Sequence, residues 1–317
     1  MATKPSILLT GRIPSSVVAT LESIGELDRF RRDGVDLMPH DELVARVPGK
    51  HALVSMITDT VDRSVIDAGR ELKIIAQAAV GYNNIDVAAA RERGIVVTNT
   101  PGVLTDATAD ITWALILGIT RRIGEGERLV RRGEWKGWTF DFMLGAELRG
   151  KQLGIVGYGG IGRAVAARGR AFGMRIAYTS RTPKDDPDAE PMPLDRLLST
   201  SDIVSLHCPL TPGTTHLIDQ KALARMKRSA YLINTSRGPV VDEKALAWAL
   251  RTRLIAGAGL DVFEQEPTIE PELLTLENVM LVPHLGSGTV ETRTAMADLA
   301  ARNVAAVLGG QPPLTPV

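Results

Sequence analysis

The stretch Leu153-Gly-Ile-Val-Gly-Tyr-Gly-Gly-Ile-Gly162 places three glycines at G-x-G-x-x-G spacing directly after a short apolar run. The first four residues predict a buried strand, and the residues that follow continue with helical spacing. Gly157 permits a tight turn, Gly159 lets a pyrophosphate approach the main chain, and Gly162 lets the helix pack close to the strand. The N–H groups at the helix N-terminus then favour phosphate. The stretch predicts a dinucleotide site, with an ordinary βα turn as the alternative.

Composition limits the possible classes of protein. The chain has 317 residues, 44% of them apolar, which is enough for two domains of ordinary size. Lys+Arg and Asp+Glu are equal at 37 each, so charge does not point to a nucleic-acid or membrane partner. A single cysteine, Cys208, gives neither an intrachain disulfide nor a cysteine metal cluster, and no metal site is expected. The short apolar run at the N-terminus does not resemble a signal peptide, and we expect a cytoplasmic protein.

Two successive alternations of strands and helices run along the chain, one over the first hundred residues and one from Lys151 onward. They predict an α/β protein with two Rossmann-like or flavodoxin-like parallel sheets. The second sheet is complete by Val282, so a long Ala-rich helix near 289–308 is expected to return to a discontinuous first domain. We expect residues 1–101 plus 287–317 to bind substrate and 102–286 to bind the dinucleotide, with the active site between them. The proline-rich segment 183–193 is expected to be an exposed polar loop.

The residues after the second strand of the nucleotide domain bear on the choice of cofactor. An NAD site usually carries an acid about 20 residues after the fingerprint, where it binds the ribose hydroxyl. Ser180 takes that place here, followed by Arg181 and Thr182, and these three can bind a 2′-phosphate that a carboxylate would repel. We therefore expect NADPH to be preferred over NADH. The alternative is that Arg181 is an ordinary surface residue and that Asp185 or Asp186 serves the ribose.

Three later segments carry candidate catalytic residues. They are Ile233-Asn-Thr-Ser-Arg-Gly-Pro-Val-Val-Asp242, Gly259-Leu-Asp-Val-Phe-Glu-Gln-Glu-Pro267 and Val282-Pro-His-Leu-Gly-Ser287. Arg237, Glu266 and His284 each lie just past the carboxyl end of a predicted parallel strand. Ligands bind at that edge of open α/β sheets. An isolated histidine or Arg–Glu pair is more often structural, so the position of the three together carries the hypothesis.

With these segments the chain resembles the D-isomer-specific 2-hydroxyacid dehydrogenases, most closely their glyoxylate/hydroxypyruvate reductase branch. The resemblance extends over nearly the whole length. It includes Val80-Gly-Tyr-Asn-Asn-Ile-Asp86, Asn99-Thr-Pro-Gly-Val-Leu-Thr105, the fingerprint and the three later segments. Gly160 stands where many relatives carry a side chain, and the Ser180-Arg181 pair replaces the usual acid.

The resemblance implies catalytic and substrate-binding roles. Arg237 would bind the substrate carboxylate and polarise the keto oxygen. His284 would be the general acid that protonates this oxygen, and Glu266 would fix its tautomer and favour the imidazolium. The backbone N–H groups of Val80 and Gly81 would bind the carboxylate.

Further residues are implied for the cofactor and for assembly. Those expected to contact the cofactor are Gly157, Gly159, Gly160, Ile161, Gly162, Ser180, Arg181, Thr182, Cys208, Pro209, Thr214, Thr235, Ser236, Asp261 and Thr108. Asp261 would hold the nicotinamide carboxamide, and His207 and His216 are expected to be structural. Trp138 would reach the substrate pocket of a neighbouring subunit in a homodimer, the assembly usual in the family.

The implied function is NADPH-dependent reduction of small 2-keto acids, glyoxylate and hydroxypyruvate, to D-2-hydroxy acids. A 2-ketogluconate reductase or another 2-keto acid reductase is the close alternative, and side chains near Ser55, Met56 and Ile57 would distinguish them. A phosphoglycerate dehydrogenase is less favoured, because little chain follows the last helix. A nucleotide-sensing scaffold like the C-terminal binding protein corepressors is the distant alternative.

Overall fold

The computed structural model describes residues 4–31 and 37–317, and the chain folds as two compact units. The first unit comprises Met1–Leu104 and Gly288–Val317, and the second comprises Thr105–Ser287. Residues 1–3 and 32–36, which fall in the predicted substrate domain, lie outside the described residues.

A five-stranded sheet forms the centre of the first unit, and every strand pair in it is parallel. Its strands are β1 (Ser6–Leu9), β2 (Glu26–Arg29), β3 (Ala52–Ser55), β4 (Ile74–Gln77) and β5 (Val96–Thr98), in the order β2-β1-β3-β4-β5. The helices between them are α1 (Ser15–Ile24), α2 (His40–Arg46), α3 (Arg63–Ala68) and α4 (Val87–Glu92). Apolar side chains on both faces of β3 and β4 are buried, as expected when helices cover both sides of a parallel sheet.

The second unit contains a seven-stranded parallel sheet. Its strands are β6 (Gln152–Val156), β7 (Arg175–Thr179), β8 (Ala189–Pro191), β9 (Ile203–Leu206), β10 (Tyr231–Asn234), β11 (Gly257–Leu260) and β12 (Val279–Leu281). Its helices are α5 (Thr105–Thr120), α6 (Ile123–Arg131), α7 (Gly160–Ala171), α8 (Leu194–Thr200), α9 (Gln220–Arg225) and α10 (Glu243–Arg251). The strand order β12-β11-β10-β9-β6-β7-β8 reverses direction between β6 and β9, and such a reversal is where open α/β sheets bind ligands.

Helix α11 (Val290–Leu308) belongs to the first unit although it follows the second along the chain. Its buried residues Ala297, Ala300, Ala301 and Val304 pack with strand residues of β1, β3 and β4 in one hydrophobic cluster. The predicted fold, two parallel-sheet α/β domains of which the first is discontinuous, is therefore confirmed. Among the helices of the described residues, α11 included, none has the length and apolar character that a membrane crossing requires.

The segment predicted as an exposed loop is exposed at most of its positions, but it also contains a short strand, which the prediction missed. Residues Ala189–Pro191 form β8, which pairs in parallel with β7 at the edge of the sheet. Ala189 and Met192 are buried there. Proline is tolerated in an edge strand because the N–H that it lacks is not needed on the open side.

Candidate active site

The three fingerprint glycines meet different surroundings at the end of β6. Gly157 has φ +95°, and a Cβ there would lie 2.6 Å from main-chain atoms of His207 and Cys208. A Cβ on Gly162 would lie 2.3 Å from the carbonyl oxygen of Gly157. A Cβ on Gly159, by contrast, would have no protein atom within 4 Å among the described residues. Only the middle glycine borders open space, which is the arrangement that a pyrophosphate approaching the main chain requires.

The predicted phosphate-binding residues begin helix α7. Gly159 is its N-cap, and Gly160 and Ile161 are its first two residues. The nearest atom to a Cβ on Gly160, outside its own helix, would be Oγ1 of Thr105 at 3.5 Å. The N–H groups of this first helical turn lack carbonyl partners within the helix and can donate to an anion.

Tyr158, the second residue of the fingerprint, binds Asp186, which is one of the two acids considered as a ribose-binding group. Its buried ring stacks on Tyr178 with centroids 4.2 Å apart, and its hydroxyl donates to Asp186 at 2.6 Å. Burial and this hydrogen bond raise the pKa of Tyr158 to about 12. Arg170 donates to both oxygens of Asp186 at 2.8 Å. Asp186 is therefore occupied by two partners inside the protein.

The segment Ser180–Thr182 follows β7 and is mostly exposed. The hydroxyl of Ser180 donates to the carbonyl of Thr182 at 2.6 Å, which closes a local turn. Arg181, in the middle of that turn, is exposed. The turn thus presents a guanidinium at the carboxyl end of the strand next to β6.

The residues expected on the adenine side follow β9. Cys208 is buried, and burial raises the pKa of its thiol to about 11, so it is a neutral thiol and not a thiolate. Thr214 accepts from the Thr211 N–H at 2.8 Å and donates to the carbonyl of Pro209 at 2.7 Å, which closes the loop after the strand. Burial lowers the pKa of His207 to about 3, so its ring is neutral at physiological pH.

A buried chain of hydroxyl groups connects helix α5 to the end of β10. Thr112 lies 2.9 Å from Thr235 between their hydroxyl oxygens, and it donates to the carbonyl of Thr108 at 2.8 Å. The hydroxyl of Thr108 in turn donates to the carbonyl of Gly286 at 3.1 Å. Three segments that are distant along the chain are therefore fixed at the same edge of the sheet.

Asp261, at the end of β11, holds the segment that follows β12. One carboxylate oxygen accepts the Leu285 N–H, and the other accepts the Gly286 N–H at 2.8 Å. The Asp261 carbonyl accepts the His284 N–H at 2.9 Å. His284 has φ +52°, a left-handed conformation that costs free energy in a non-glycine residue, so these bonds hold it in an unfavourable backbone state. Burial raises the pKa of Asp261, although the two N–H groups and His284 oppose this.

The predicted acid and its partner meet directly. Nδ1 of His284 lies 2.8 Å from Oε2 of Glu266, and the other oxygen of Glu266 accepts the Phe263 N–H at 3.0 Å. Burial alone would raise the pKa of Glu266, but His284, the Phe263 N–H and the charge of Arg237 outweigh it, and the net pKa is lowered. Glu266 is therefore a carboxylate that orients the ring through Nδ1 and leaves Nε2 outside this contact.

Arg237 follows β10 and is half-buried. Burial lowers the pKa of its guanidinium, and the negative charge of Glu266 opposes that shift. Its Nη1 donates to the Ser236 carbonyl at 2.6 Å, while Asn234 accepts from the Ser236 hydroxyl at 2.8 Å and donates to the Arg237 carbonyl at 2.9 Å. The turn that carries Arg237 and Ser236 is thus rigid, and its cation lies within the electrostatic reach of Glu266.

In the first unit, two successive carbonyls after β4 point toward one neighbouring segment. The Ala79 carbonyl accepts the Thr100 N–H at 3.0 Å, and the Val80 carbonyl accepts Nδ2 of Asn99 at 2.8 Å. In a trans peptide the N–H points opposite to the C=O, so the N–H groups of Val80 and Gly81 both point away from residues 99–100. Neither donates to an acceptor within residues 4–31 and 37–317. Two adjacent N–H groups of this kind are able to donate to an anion.

The next peptide is held by a chain of buried side chains. Nε2 of Gln77 donates to the Gly81 carbonyl at 3.3 Å and to Asn84 at 2.9 Å. Oε1 of Gln77 accepts from the Ser55 hydroxyl at 2.6 Å, and Asn84 donates to the Asp59 carbonyl at 2.8 Å. Ser55 is fully buried in this series of hydrogen bonds, so it supports the loop.

Trp138 lies in the segment after α6 and is 75% exposed. Its ring makes an edge contact with Phe140, with centroids 6.5 Å apart.

The second unit matches a known protein family. Residues 113–286 fit the model of the D-isomer specific 2-hydroxyacid dehydrogenase NAD-binding domain. A glyoxylate reductase of Thermococcus litoralis is 49% identical over 318 residues, which cover 98% of this chain and 96% of that protein. This chain belongs to the D-isomer-specific 2-hydroxyacid dehydrogenase family. It is an NAD(P)-dependent oxidoreductase, and the seven-stranded unit binds a nicotinamide dinucleotide.

Solved structures show the same fold over the whole chain. A glyoxylate reductase from Paecilomyes thermophila is 36% identical with a TM-score of 0.91, and the match covers 100% of this chain and 99% of that one. An NADPH-dependent glyoxylate/hydroxypyruvate reductase from Sinorhizobium meliloti, solved with NADP and malonate, is 37% identical with a TM-score of 0.89 over 99% and 97% of the two chains.

Sequence reasoning missed several side chains whose hydrogen bonds hold the predicted site residues in place. Asn99 and Gln77 hold the carbonyls of the Val80–Gly81 loop, and Thr112 links α5 to Thr235. Asn99 belongs to the motif Asn99–Thr105, but this motif does not indicate which carbonyl group the Asn99 amide contacts. Buried amide side chains near strand ends were the available signal, because such groups need partners.

Two single-methyl substitutions separate the roles of the glycines. We expect Gly157→Ala to lower the free energy of unfolding by about 1–3 kcal/mol or more, because its Cβ meets backbone at a positive φ. Gly159→Ala has room for its Cβ and is expected to fold normally but to bind NADPH at least about tenfold more weakly. Thermal unfolding and cofactor fluorescence titration measure the two effects. Equal NADPH affinity for Gly159→Ala and wild type would contradict the assignment.

Proposed function

We propose that this dehydrogenase reduces small 2-keto acids, glyoxylate and hydroxypyruvate, to D-2-hydroxy acids with NADPH. The observation that carries the proposal is the His284–Glu266 pair at 2.8 Å, with the cation of Arg237 in electrostatic reach. A keto acid presents a carboxylate and a carbonyl oxygen that gains negative charge during reduction. A guanidinium and a proton donor are the groups that this substrate needs.

Each of the three residues has a distinct role in the proposal. Arg237 binds the substrate through two parallel N–H donors and stabilises the negative charge that develops on the keto oxygen. His284 donates the proton from Nε2 to that oxygen. Glu266 keeps the ring oriented and stabilises its protonated form before transfer. A reduced nicotinamide bound to the second unit would supply the hydride to C2.

The carboxylate of the substrate is assigned to the N–H groups of Val80 and Gly81. The direction of each N–H is set by the carbonyl of the same peptide group. These two carbonyls accept hydrogen bonds from the Asn99 side chain and from the Thr100 N–H. The absence of a side chain at Gly81 lets a small acid lie against the main chain. The same two N–H groups can donate to the carboxylate of any 2-keto acid, which fits a reductase that acts on more than one such substrate.

The preference for NADPH rests on the end of β7. No acid stands at the position that usually binds the ribose, and Asp186 is already paired with Tyr158 and Arg170. The exposed Arg181 is then the charged group available to a 2′-phosphate in the turn after β7. The Sinorhizobium meliloti relative described above is NADPH-dependent, which supports the same choice here.

A homodimer is part of the proposal. Trp135, Trp138 and Phe140 are 57%, 75% and 87% exposed, and large aromatic groups clustered at a surface mark a site of protein association. We assign this segment to contact with a second copy of the chain, where Trp138 would reach the neighbouring substrate site.

A keto-acid panel tests the proposed reaction. The purified protein is expected to oxidise NADPH with glyoxylate and hydroxypyruvate faster than with 2-ketogluconate. His284→Gln is expected to lower kcat about 10²–10⁴-fold, the usual contribution of a general acid, with unchanged NADPH affinity. His40→Gln is the control, because this partly exposed histidine pairs with Asp62 at the surface. Wild-type turnover in His284→Gln would exclude the assigned acid, and turnover of none of the keto acids would exclude the reaction.

Cofactor choice is tested at Arg181. Its removal is expected to lower the ratio of kcat/KM for NADPH to that for NADH by about ten- to a hundredfold, the value of one hydrogen bond to a charged group. Arg175→Ala is the matched control, because this exposed arginine lies at the opposite end of the same strand. An unchanged ratio in Arg181→Ala would reject the 2′-phosphate contact.

The carboxylate site is tested through the residue that orients it. Asn99→Ala releases the Val80 carbonyl and lets its peptide rotate, so KM for glyoxylate is expected to rise about ten- to a hundredfold while kcat changes little. Thr98→Val is the control, because the buried Thr98 hydroxyl has no hydrogen-bond partner among the described residues. If Asn99→Ala keeps the wild-type KM, the main-chain pair does not bind the carboxylate.

A further inference from the structure

The loop that carries Glu266 has few regular backbone bonds of its own. We call residues 262–270, between β11 and the next short turn, the acid loop. Within it, the Thr268 N–H donates to the Gln265 carbonyl at 2.8 Å, and the Phe263 N–H donates to Glu266 itself. The side chain of Glu266 is one third exposed. Its distance to His284 therefore depends on how the acid loop is held from outside.

Glu243, the first residue of helix α10, holds the acid loop at both ends. One of its carboxylate oxygens accepts the Glu264 N–H, and the other accepts the Glu270 N–H at 3.2 Å. Glu243 is only 6% exposed. Its own helix does not need this carboxylate as a cap, because Asp242 accepts the Ala245 N–H at 2.9 Å. A buried carboxylate is costly unless it is hydrogen-bonded, and here its partners are main-chain groups on either side of Glu266.

The contact between helix and loop is reciprocal. The Glu243 N–H donates to Oε2 of Glu264 at 3.3 Å, and Oε1 of Glu264 lies 2.7 Å from Nε2 of His216. The same part of the loop passes against Gly238, where a Cβ would lie 1.8 Å from the Phe263 carbonyl oxygen. The loop is thus held between the residue after Arg237 and the start of α10.

We propose that Glu243 is a positioning residue that keeps Glu266 on His284 and thereby sets the pH range in which the ring donates its proton. The proposal rests on the proposed reductase function for its catalytic consequence, but the positioning itself does not. The charged groups around His284 are Glu266 and Asp261, and Arg237 acts on Glu266. Those that face Glu243 are Glu264 and Glu270, with His216 beyond Glu264.

Both oxygens of the Glu243 carboxylate accept hydrogen bonds, so a glutamine amide cannot replace it. Burial raises the pKa of Glu243, the two N–H groups lower it, and Glu264 and Glu270 raise it further. The two converging N–H groups need an acceptor on each oxygen. Glutamine offers one acceptor and turns an NH₂ group toward the second N–H, so one end of the loop is released at nearly constant volume.

Release of the loop acts on the acid through Glu266. When Glu266 spends less time on Nδ1, the protonated ring loses its stabilising carboxylate. Reduction requires that protonated ring, so the loss of rate grows as pH rises. A role limited to folding would lower stability at all pH values and would leave the shape of the profile unchanged.

The test compares Glu243→Gln with wild type in the intact protein. In histidine-labelled protein, the NMR titration midpoint of the His284 ring, assigned with His284→Gln, is expected to move down by about one pH unit, a tenfold change in protonation. The pH at which kcat for glyoxylate reduction is half-maximal moves down in parallel, and NADPH affinity stays within about twofold, since a released loop end leaves the fingerprint intact. Glu243→Asp keeps both acceptors on a shorter side chain, and its midpoint is expected to lie between the two.

Glu272→Gln is the matched control. Its carboxylate also joins this region to α10, through Arg251, but it is only partly buried and does not touch the acid loop backbone, so both midpoints should match wild type. An unmoved His284 midpoint in Glu243→Gln and Glu243→Asp would overturn the proposal. A moved midpoint in a protein that reduces no keto acid would support the positioning role and reject the proposed function instead.

Discussion

In the second unit, the turn Gly157–Gly162 passes close to the main chain at the end of β9. The rest of this unit depends on that close contact. A side chain on Gly157 would meet the main chain of residues 207–208, and one on Gly162 would meet the Gly157 carbonyl. Because neither is present, β6, β9 and the start of α7 meet at one edge of the sheet. The reversal of strand order falls between the same two strands, so the phosphate site and the opening for a ligand are consequences of one packing arrangement.

The segments that carry the proposed catalytic side chains are held at this edge by hydrogen bonds to their main chain. Asp261 holds the backbone around His284, Asn234 holds the turn that carries Arg237, and Glu243 holds the loop that carries Glu266. Each holding group is a buried carboxylate or amide with its polar atoms paired, so displacement would leave an unsatisfied group in the interior. The cost of that displacement opposes movement of these three segments.

Repetition and periodicity made most of the fold predictable from sequence, and the misses have local causes. The order of strands and helices followed from apolar runs separated by glycine, proline and capping residues. Strand β8 was missed because Pro191 reads as loop, and only its position at the sheet edge makes it acceptable. No sequence pattern indicated the contacts of Glu243 or the burial of Ser55, because the partners of both come from other parts of the chain.

Recognition by main chain explains why the sequence names the substrate class more readily than the substrate. In the proposed site the N–H groups of Val80 and Gly81 bind the carboxylate, a group that every 2-keto acid shares. Peptide groups are the same in every protein, so discrimination between keto acids must come from side chains that contact the rest of the substrate. Met56, unlike the buried Ser55, is only partly buried, and it fills the space beside Gly11, where a Cβ would lie 2.6 Å from its Cγ. We expect substrate choice to depend on the volume of a few such side chains, and volume does not follow from a motif.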